Sequence, residues 1–181
     1  MRYDDLDYCV GLINKGQYPK IHDDIFTLAR FIDATTVIDL GCCHGLLSHR
    51  LGTVYNRVIG IEASTKYLEN VIPRDNVIYV QLRIDTDTLP NLKRIIIENG
   101  VGAIFARRVV PEIWETGGDA LCAEFAKTLY ESGIRQIALE GRKPTKNPRN
   151  RLHSADKECE VFAGMYRVAE RYKGCRLLER M

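Results

Sequence analysis

A chain of 181 residues has the length of one domain and can bury roughly two thirds of the surface that its unfolded form exposes. Hydrophobic residues make up 45% and charged residues 28% of the chain, which argues against the disordered and fibrous classes. A formal net charge of +2 is too small to indicate a polyanionic partner by itself. We therefore expect one domain over residues 1–181.

The six cysteines form no Cys-x-x-Cys pair, and no Cys/His spacing typical of a zinc site is present. The N-terminus carries no apolar signal segment, and no apolar run approaches the ~20 residues that a membrane span requires. These features favour a cytoplasmic protein with free thiols, without a metal site and without a membrane partner.

Residues 1–34 form a segment whose apolar side chains recur at helical spacing. They are Ile21, Ile25, Leu28, Ala29 and Ile32. We expect this helical segment to lie over the edge of the sheet that follows, or over its ligand crevice.

Six short apolar runs follow, each typical of a strand buried on both faces. They are Thr36–Leu40, Arg57–Ile61, Val77–Gln81, Ala103–Ala106, Gln136–Leu139 and Cys175–Leu178. Helical patterns separate them, for example one with Pro90 near its start and Gly100 just past its end. The alternation predicts an α/β fold: a doubly wound, mostly parallel sheet of about six to seven strands with helices on both faces.

Two further helices are predicted in the second half of the chain. One runs from about Asp119 to Ser132 and is closed by Gly133. The other opens at Ser154, whose hydroxyl can cap free backbone N–H groups, and its apolar stripe extends to Tyr172. This interpretation leaves one strand after the last helix.

The loop after the first strand has the composition of a ligand site. Gly41 permits a sharp turn, Gly45 permits a close approach of backbone to a ligand, and the helix that follows begins with free N–H donors. The second strand ends in Glu62, about twenty residues later, where a carboxylate can accept both hydroxyls of a ribose. The spacing predicts a nucleoside site.

The run Val37-Ile38-Asp39-Leu40-Gly41-x-Cys43-x-Gly45 resembles the first motif of class I S-adenosylmethionine-dependent methyltransferases, in which a strand ends in an acid followed by Gly-x-Gly-x-Gly. Glu62 matches the ribose-binding acid of that family. The resemblance implies a Rossmann-like methyltransferase fold from about residue 20 onward and S-adenosylmethionine as the cofactor. The cofactor-binding residues that it implies are Asp39, Gly41, Cys42, Cys43, Gly45, Glu62 and Ala63.

The sequence departs from that family in two ways. Cys43 stands where the middle glycine of the motif is expected. The family also commonly closes its sheet with an antiparallel pair of strands, whereas the pattern here ends at a sixth strand, so we expect a shortened sheet. A plain glycine turn and an oxidoreductase-type dinucleotide site are the alternatives, but the Gly-x-Gly-x-x-Gly spacing of the latter is absent.

In the family, the end of the fourth strand lies near the transferred methyl group, and the corresponding segment here ends at Glu112. It lacks the Asn/Asp-Pro-Pro-aromatic motif of enzymes that methylate amines of DNA bases, and it lacks the Pro-Cys pair of enzymes that methylate cytosine at C5. Arg107 and Arg108 could grip a phosphate or carboxylate of the substrate, or could pair with Glu112 or another acid. Glu140, which ends the fifth strand, is the candidate base. The candidate catalytic residues are thus Glu140, Arg107 and Glu112.

Two functions remain open. The first is an S-adenosylmethionine-dependent methyltransferase with an unidentified acceptor, for which a phosphate-bearing molecule is one candidate. The second is a catalytically silent regulatory protein that binds S-adenosylmethionine or a nucleoside. The segments around Arg107 and Leu139-Glu-Gly-Arg142 also resemble small methyltransferase-fold proteins of bacteriophages.

A basic stretch follows the fifth strand and contains no acid before Asp156. Its members are Arg142, Lys143, Lys146, Arg149 and Arg151. It could steer a small-molecule or nucleic-acid acceptor, or be a solvated loop. No pattern specifies an oligomeric state.

Overall fold

A computed structural model describes residues 6–141, 152 and 154–181 of the protein. Its strands in these ranges are β1 Thr36–Leu40, β2 Arg57–Glu62, β3 Val77–Gln81, β4 Val101–Arg107, β5 Gln136–Glu140, β6 Tyr166–Tyr172 and β7 Cys175–Arg180. Its helices there are α1 Leu6–Ile13, α2 Asp23–Thr27, α3 Leu46–Leu51, α4 Thr65–Leu68, α5 Leu89–Glu98, α6 Val110–Glu131 and α7 Ala155–Cys159. Short 3₁₀ turns occupy Lys20–His22, Leu28–Phe31 and Glu160–Phe162.

The seven strands form one sheet in the order β3-β2-β1-β4-β5-β7-β6. Strands β1 to β5 are parallel, and β7 pairs antiparallel with both β5 and β6. The prediction of a mostly parallel α/β sheet of six to seven strands is confirmed. Because parallel strands end at the same edge, the residues after β1, β2, β4 and β5 lie beside one another.

The prediction of a helix from Ser154 to Tyr172 is wrong beyond its first turns, because the second part of this segment forms strand β6. Ser154 does cap α7, its hydroxyl oxygen accepting from the Lys157 N–H at 3.3 Å. The chain then leaves the helical conformation at Ala163, whose ψ is 141°, turns at Gly164, whose φ is +82°, and continues as β6. Over seven residues the apolar side chains fit a strand as well as a helix, and pairing with β7 decides between them. The sheet therefore ends in an antiparallel pair, and the expectation of a shortened sheet is also wrong.

Strand side chains divide between two hydrophobic clusters, because successive residues of a strand point to opposite faces. One cluster joins Ile38 and Ile104 to α5 and α6 through residues such as Phe125. The other joins Val37 and Phe105 to α3 and to the segment before β1. That segment contributes Ile25, Leu28, Ala29 and Ile32.

The predicted helix that ends at Ser132 is present, but it begins earlier than expected. Helix α6 starts at Val110 and is interrupted at Gly118, whose φ of +64° and ψ of −155° are not helical. Trp114 spans this kink, its indole N–H donating to Asp119 Oδ1 at 2.9 Å.

In the part of the chain that the structure describes, no helix combines the length and the apolarity that crossing a bilayer demands. Nor do the described His, Cys, Asp and Glu side chains form a group of three or more suited to a metal ion. The cysteines with described side chains, Cys42, Cys43, Cys122, Cys159 and Cys175, are free thiols.

Candidate active site

The turn after β1 is fastened to the neighbouring strand. The backbone N–H groups of Gly41 and Cys42 both donate to the carbonyl oxygen of Ile61, at 2.8 and 3.1 Å. Gly41 has a φ of +73°, and a Cβ there would collide with the side chain of Val109. The turn therefore needs glycine at this position both for its conformation and for its close contact with the segment after β4.

Glu62 joins the end of β2 to this turn through its carboxylate. Its Oε2 accepts from the Cys43 N–H and its Oε1 from the Ser64 N–H, both at 2.9 Å. The residue is only 9% exposed. Since a carboxylate oxygen has two lone pairs, each oxygen can still accept one more hydrogen bond.

Asp39, at the penultimate position of β1, is almost fully buried. Its Oδ2 accepts from the Ser48 hydroxyl at 2.6 Å. Burial raises the pKa of Asp39 to about 7; the hydrogen bond from Ser48 opposes this shift, and the negative charge of Glu62 adds to it. Asp39 is therefore a carboxyl group whose charge changes near neutral pH.

Three clefts lie at the carboxyl edge of the sheet, two of them beside the turn after β1. The first cleft, of about 420 Å³, is lined by Gly41, Cys43, Glu62, Ala63, Tyr67, Leu82, Arg83, Ile84, Arg107 and Glu112, among others. The second cleft, of about 190 Å³, is lined by His22, Asp39, Gly41, Cys42, Cys43, His44, Tyr67 and Arg107, among others. The third cleft, of about 570 Å³, lies beyond Arg107 and Arg108 and reaches Glu140 and the turn between β6 and β7.

The structure brings most of the predicted cofactor residues to the first two clefts. Gly45 lines neither of them. Its φ is +77°, and a Cβ there would run into the hydroxyl group of Tyr79, which donates to the Ile72 carbonyl oxygen at 2.9 Å. In the structure, Gly45 makes room for a neighbouring side chain.

Arg107 lines all three clefts and forms an ion pair with Glu140. The two residues lie opposite each other on β4 and β5, and Arg107 Nε donates to Glu140 Oε1 at 3.1 Å. Arg108 Nη2 lies 3.5 Å from the same oxygen, and the Arg108 N–H donates to the Glu140 carbonyl oxygen at 2.8 Å. Arg107 was expected either to bind a substrate anion or to pair with an acid. The structure contains an ion pair, and the acid is Glu140.

The three candidate catalytic residues do not share one cleft. Glu112 lines the first cleft and Glu140 lines the third, while Arg107 borders both. Burial raises the pKa of Glu140, and the positive charges of Arg107 and Arg108 oppose that shift. Arg107 is thus the link between the two candidate acids.

Several cleft residues were missed by sequence reasoning. Leu82 and Ile84 follow β3, so the rule that inspects the carboxyl ends of strands would have found them had it been applied there. His22 lies before β1 and had no such signal. Its Nδ1 is shielded from solvent without a hydrogen-bond partner among the described residues. Burial, together with the charges of Arg107 and Arg50, lowers its pKa to about 3.

The basic stretch predicted to steer an acceptor falls outside the described residues. This applies to Arg142, Lys143, Lys146, Arg149 and Arg151.

The strand order, the antiparallel last pair and the clefts between the Gly41 turn and Glu62 define a class of fold, that of class I S-adenosylmethionine-dependent methyltransferases. No protein-family model and no curated protein sequence matches the chain. Solved structures do match it. An S-adenosylmethionine-dependent methyltransferase from Anabaena variabilis is 13% identical with a TM-score of 0.62, and the match covers 100% of this chain and 96% of that one.

The N-methyltransferase NodS from Bradyrhizobium japonicum WM9 is 10% identical with a TM-score of 0.63, over 89% of this chain and 93% of NodS. The bifunctional kinase-methyltransferase WbdD is 16% identical with a TM-score of 0.58, over 86% of this chain. The matched part is only 38% of the WbdD chain. At such identities, these likenesses establish the fold that the sequence motif implied.

Proposed function

We propose that the protein is an S-adenosylmethionine-dependent methyltransferase that holds its cofactor in the first cleft, with the methionine part reaching into the second. The observation that carries the proposal is the position of Glu62. Its two oxygens are fixed by backbone N–H groups on the wall of the cleft, and each keeps a lone pair for a ribose hydroxyl. The volume of about 420 Å³ falls within the range of about 300–1,000 Å³ usual for small-ligand sites.

The remaining cleft residues fit the other parts of the cofactor. Leu82 and Ile84 offer apolar side chains to the adenine, beyond Glu62 and Ala63. On the other side of the turn, Asp39 offers a carboxylate to the ammonium group of the methionine part, and the turn at Gly41, Cys42 and Cys43 would hold this part in place.

When bound, S-adenosylmethionine supplies an electrophilic methyl group on a positively charged sulfur. The chain's own residues would align an acceptor with it and receive a proton where the nucleophile must lose one. Glu140 is the proposed proton acceptor, Arg107 the proposed acceptor-binding cation, and Glu112 a proposed contact on the cofactor side. The ion pair with Glu140 compensates the charge of Arg107, which reduces its repulsion of a sulfonium.

The silent regulatory protein is less well supported. A shortened sheet would favour a protein that has lost part of the catalytic fold, but the sheet has its antiparallel pair. Cys43 does occupy the middle glycine position with a φ of +49°, a conformation that costs a non-glycine residue roughly 1–2 kcal/mol. This cost lowers the stability of the folded protein, and the Cys43 N–H still donates to the Glu62 carboxylate.

We also infer from the two hydrophobic clusters that helices cover both faces of the sheet. The cluster with α5 and α6 and the cluster with α3 and the segment before β1 take alternate residues of the same strands. This is the doubly wound arrangement, in which the ligand crevice lies at the carboxyl edge.

Calorimetric titration tests the proposed function. S-adenosylmethionine and S-adenosylhomocysteine are expected to bind with dissociation constants in the micromolar range, which corresponds to a standard binding free energy of about −8 kcal/mol. Transfer of a labelled methyl group from S-adenosylmethionine to a component of a cell extract would then separate an enzyme from a silent binding protein. Absence of binding heat from both ligands, confirmed at a second temperature, would reject the proposal.

A further inference from the structure

The third cleft contains more cationic than acidic side chains, and two of its acids are already engaged. Asp24 pairs with Lys173 at 2.6 Å, and Asp156 pairs with Arg176 at 2.9 Å. Glu140 is the remaining described acid of this cleft, and it faces two guanidinium groups, those of Arg107 and Arg108. One positive charge of this trio is therefore not compensated within it.

The same trio contains polar atoms whose bonding capacity is unused. Arg107 Nη2, Arg108 Nε and Glu140 Oε2 are shielded from solvent and have no hydrogen-bond partner among the described residues. Buried polar atoms in folded proteins nearly always have a partner, and leaving them without one is costly. Two unsatisfied N–H donors beside an excess positive charge call for an anion with several acceptor oxygens.

The backbone here is held in a conformation that indicates a constraint. Arg108 has a φ of +61°, in the left-handed region that residues other than glycine seldom adopt. Its N–H donates to the Glu140 carbonyl oxygen, and Arg108 lines both the third cleft and the first. Such strain concentrates at ligand-binding positions.

We propose that the third cleft binds a small-molecule acceptor through an oxyanionic group, a phosphate or a carboxylate, which takes the guanidinium groups of Arg107 and Arg108 from Glu140. The proposal rests on the methyltransferase function proposed above. Because Arg107 lines the first cleft as well as the third, an acceptor held by it lies next to the cofactor cleft. The cleft volume of about 570 Å³ suits a small molecule.

Displacement of Glu140 from the two arginines by the oxyanion also prepares Glu140 to act as the proposed proton acceptor. Arg107 and Arg108 are the groups that hold its carboxylate in the charged form, whereas burial and the nearby Asp24 both raise its pKa. Once an oxyanion occupies the guanidinium groups, Glu140 keeps its burial and loses its partners. It then accepts a proton from the acceptor more readily.

The test is an NMR titration of the protein with inorganic phosphate and, separately, with acetate, at constant ionic strength set by sodium chloride. Shifts of the arginine Nε–Hε signals and nearby amides report binding, and comparison of the two anions distinguishes phosphate from carboxylate. Arg108→Gln is expected to weaken the binding of the preferred anion roughly tenfold, with part of the affinity kept in Arg108→Lys. Arg94→Gln, an exposed change on α5, is the matched control and is expected to have no effect.

Glu140→Gln gives the sharper test, because removing a buried ion-pair partner is expected here to strengthen anion binding and not to weaken it. It removes the competitor for the guanidinium groups, so the anion is expected to bind about threefold tighter or more. A purely structural ion pair predicts weaker or unchanged binding, and that result would overturn the proposal, whether or not Arg108→Gln folds.

Calorimetry with S-adenosylhomocysteine separates this proposal from the one on which it rests. Glu140 lines the third cleft and not the first, so its glutamine variant is expected to bind S-adenosylhomocysteine within threefold of the parent. Absence of this binding in the parent rejects the methyltransferase function. Normal binding of S-adenosylhomocysteine without phosphate or acetate binding rejects the oxyanion site alone.

Discussion

Replacing Glu62 by glutamine is expected to weaken the binding of S-adenosylhomocysteine about thirtyfold, which corresponds to about 2 kcal/mol. A hydrogen bond to a charged group contributes roughly 1.5–3 kcal/mol, and the amide keeps only one acceptor oxygen. Its NH₂ group would also face the N–H of either Cys43 or Ser64, which now both donate to the carboxylate. The change therefore removes acceptors for the ribose and loosens the turn that carries the methionine part.

Calorimetry of the variant and the parent at the same pH measures this effect. Glu69→Gln is the matched control, because Glu69 is exposed at the end of α4, a few residues after Glu62. Its affinity for S-adenosylhomocysteine is expected to equal that of the parent. Equal loss in both variants would mean that Glu62 acts through general charge and not through contact with the ligand.

Replacing Asp39 by asparagine is expected to stabilise the protein relative to the parent increasingly as pH rises from 4 to 8. The pKa of Asp39 is about 7 in the folded protein, against an ordinary value of 3.8. Between these values the unfolded chain has released the proton that the folded chain still holds, so the free energy of unfolding falls as pH rises. At about 1.36 kcal/mol for each pH unit, the fall amounts to about 4 kcal/mol.

Urea unfolding of parent and variant across pH 4 to 8 measures this difference. His22 changes stability in the opposite direction, since its lowered pKa makes the fold less stable as pH falls from about 6.5 toward 3. Subtracting the variant's curve from the parent's removes that contribution. Ser48→Ala, which deletes the hydroxyl bonded to Asp39, is expected to raise the folded-state pKa and so extend the fall to higher pH. A parent-to-variant difference that is the same at pH 5 and pH 8 would show that Asp39 is charged throughout.

The features that sequence reasoning reached are those fixed by neighbouring residues. The turn at Gly41 and the acid at the end of β2 come together because β1 and β2 are adjacent parallel strands, and their register is set by short, fully buried apolar runs. Residues at the ends of such strands meet at one edge whatever the rest of the chain does. This is why the sequence alone could associate Asp39, Cys43 and Glu62.

The features that sequence reasoning missed depend on contacts between distant segments. The pattern of β6 predicted a helix because its apolar side chains suit either period over a short length, and only β7 shows which one is used. The approach of His22 to the second cleft depends on how the segment before β1 packs against the sheet. The pairing of Arg107 with Glu140 follows from the β4–β5 register, in which these two residues lie opposite each other.

The central claim is that a nucleoside-bearing cofactor lies between Glu62 and the turn after β1. A crystal structure grown with saturating S-adenosylhomocysteine measures this directly. The account predicts both ribose hydroxyls within hydrogen-bond distance of the Glu62 carboxylate, and the amino-acid part of the ligand against the turn at Gly41 and Cys43. A ligand bound elsewhere on the protein, or a Glu62 side chain that keeps its backbone partners and contacts no ligand atom, would contradict it.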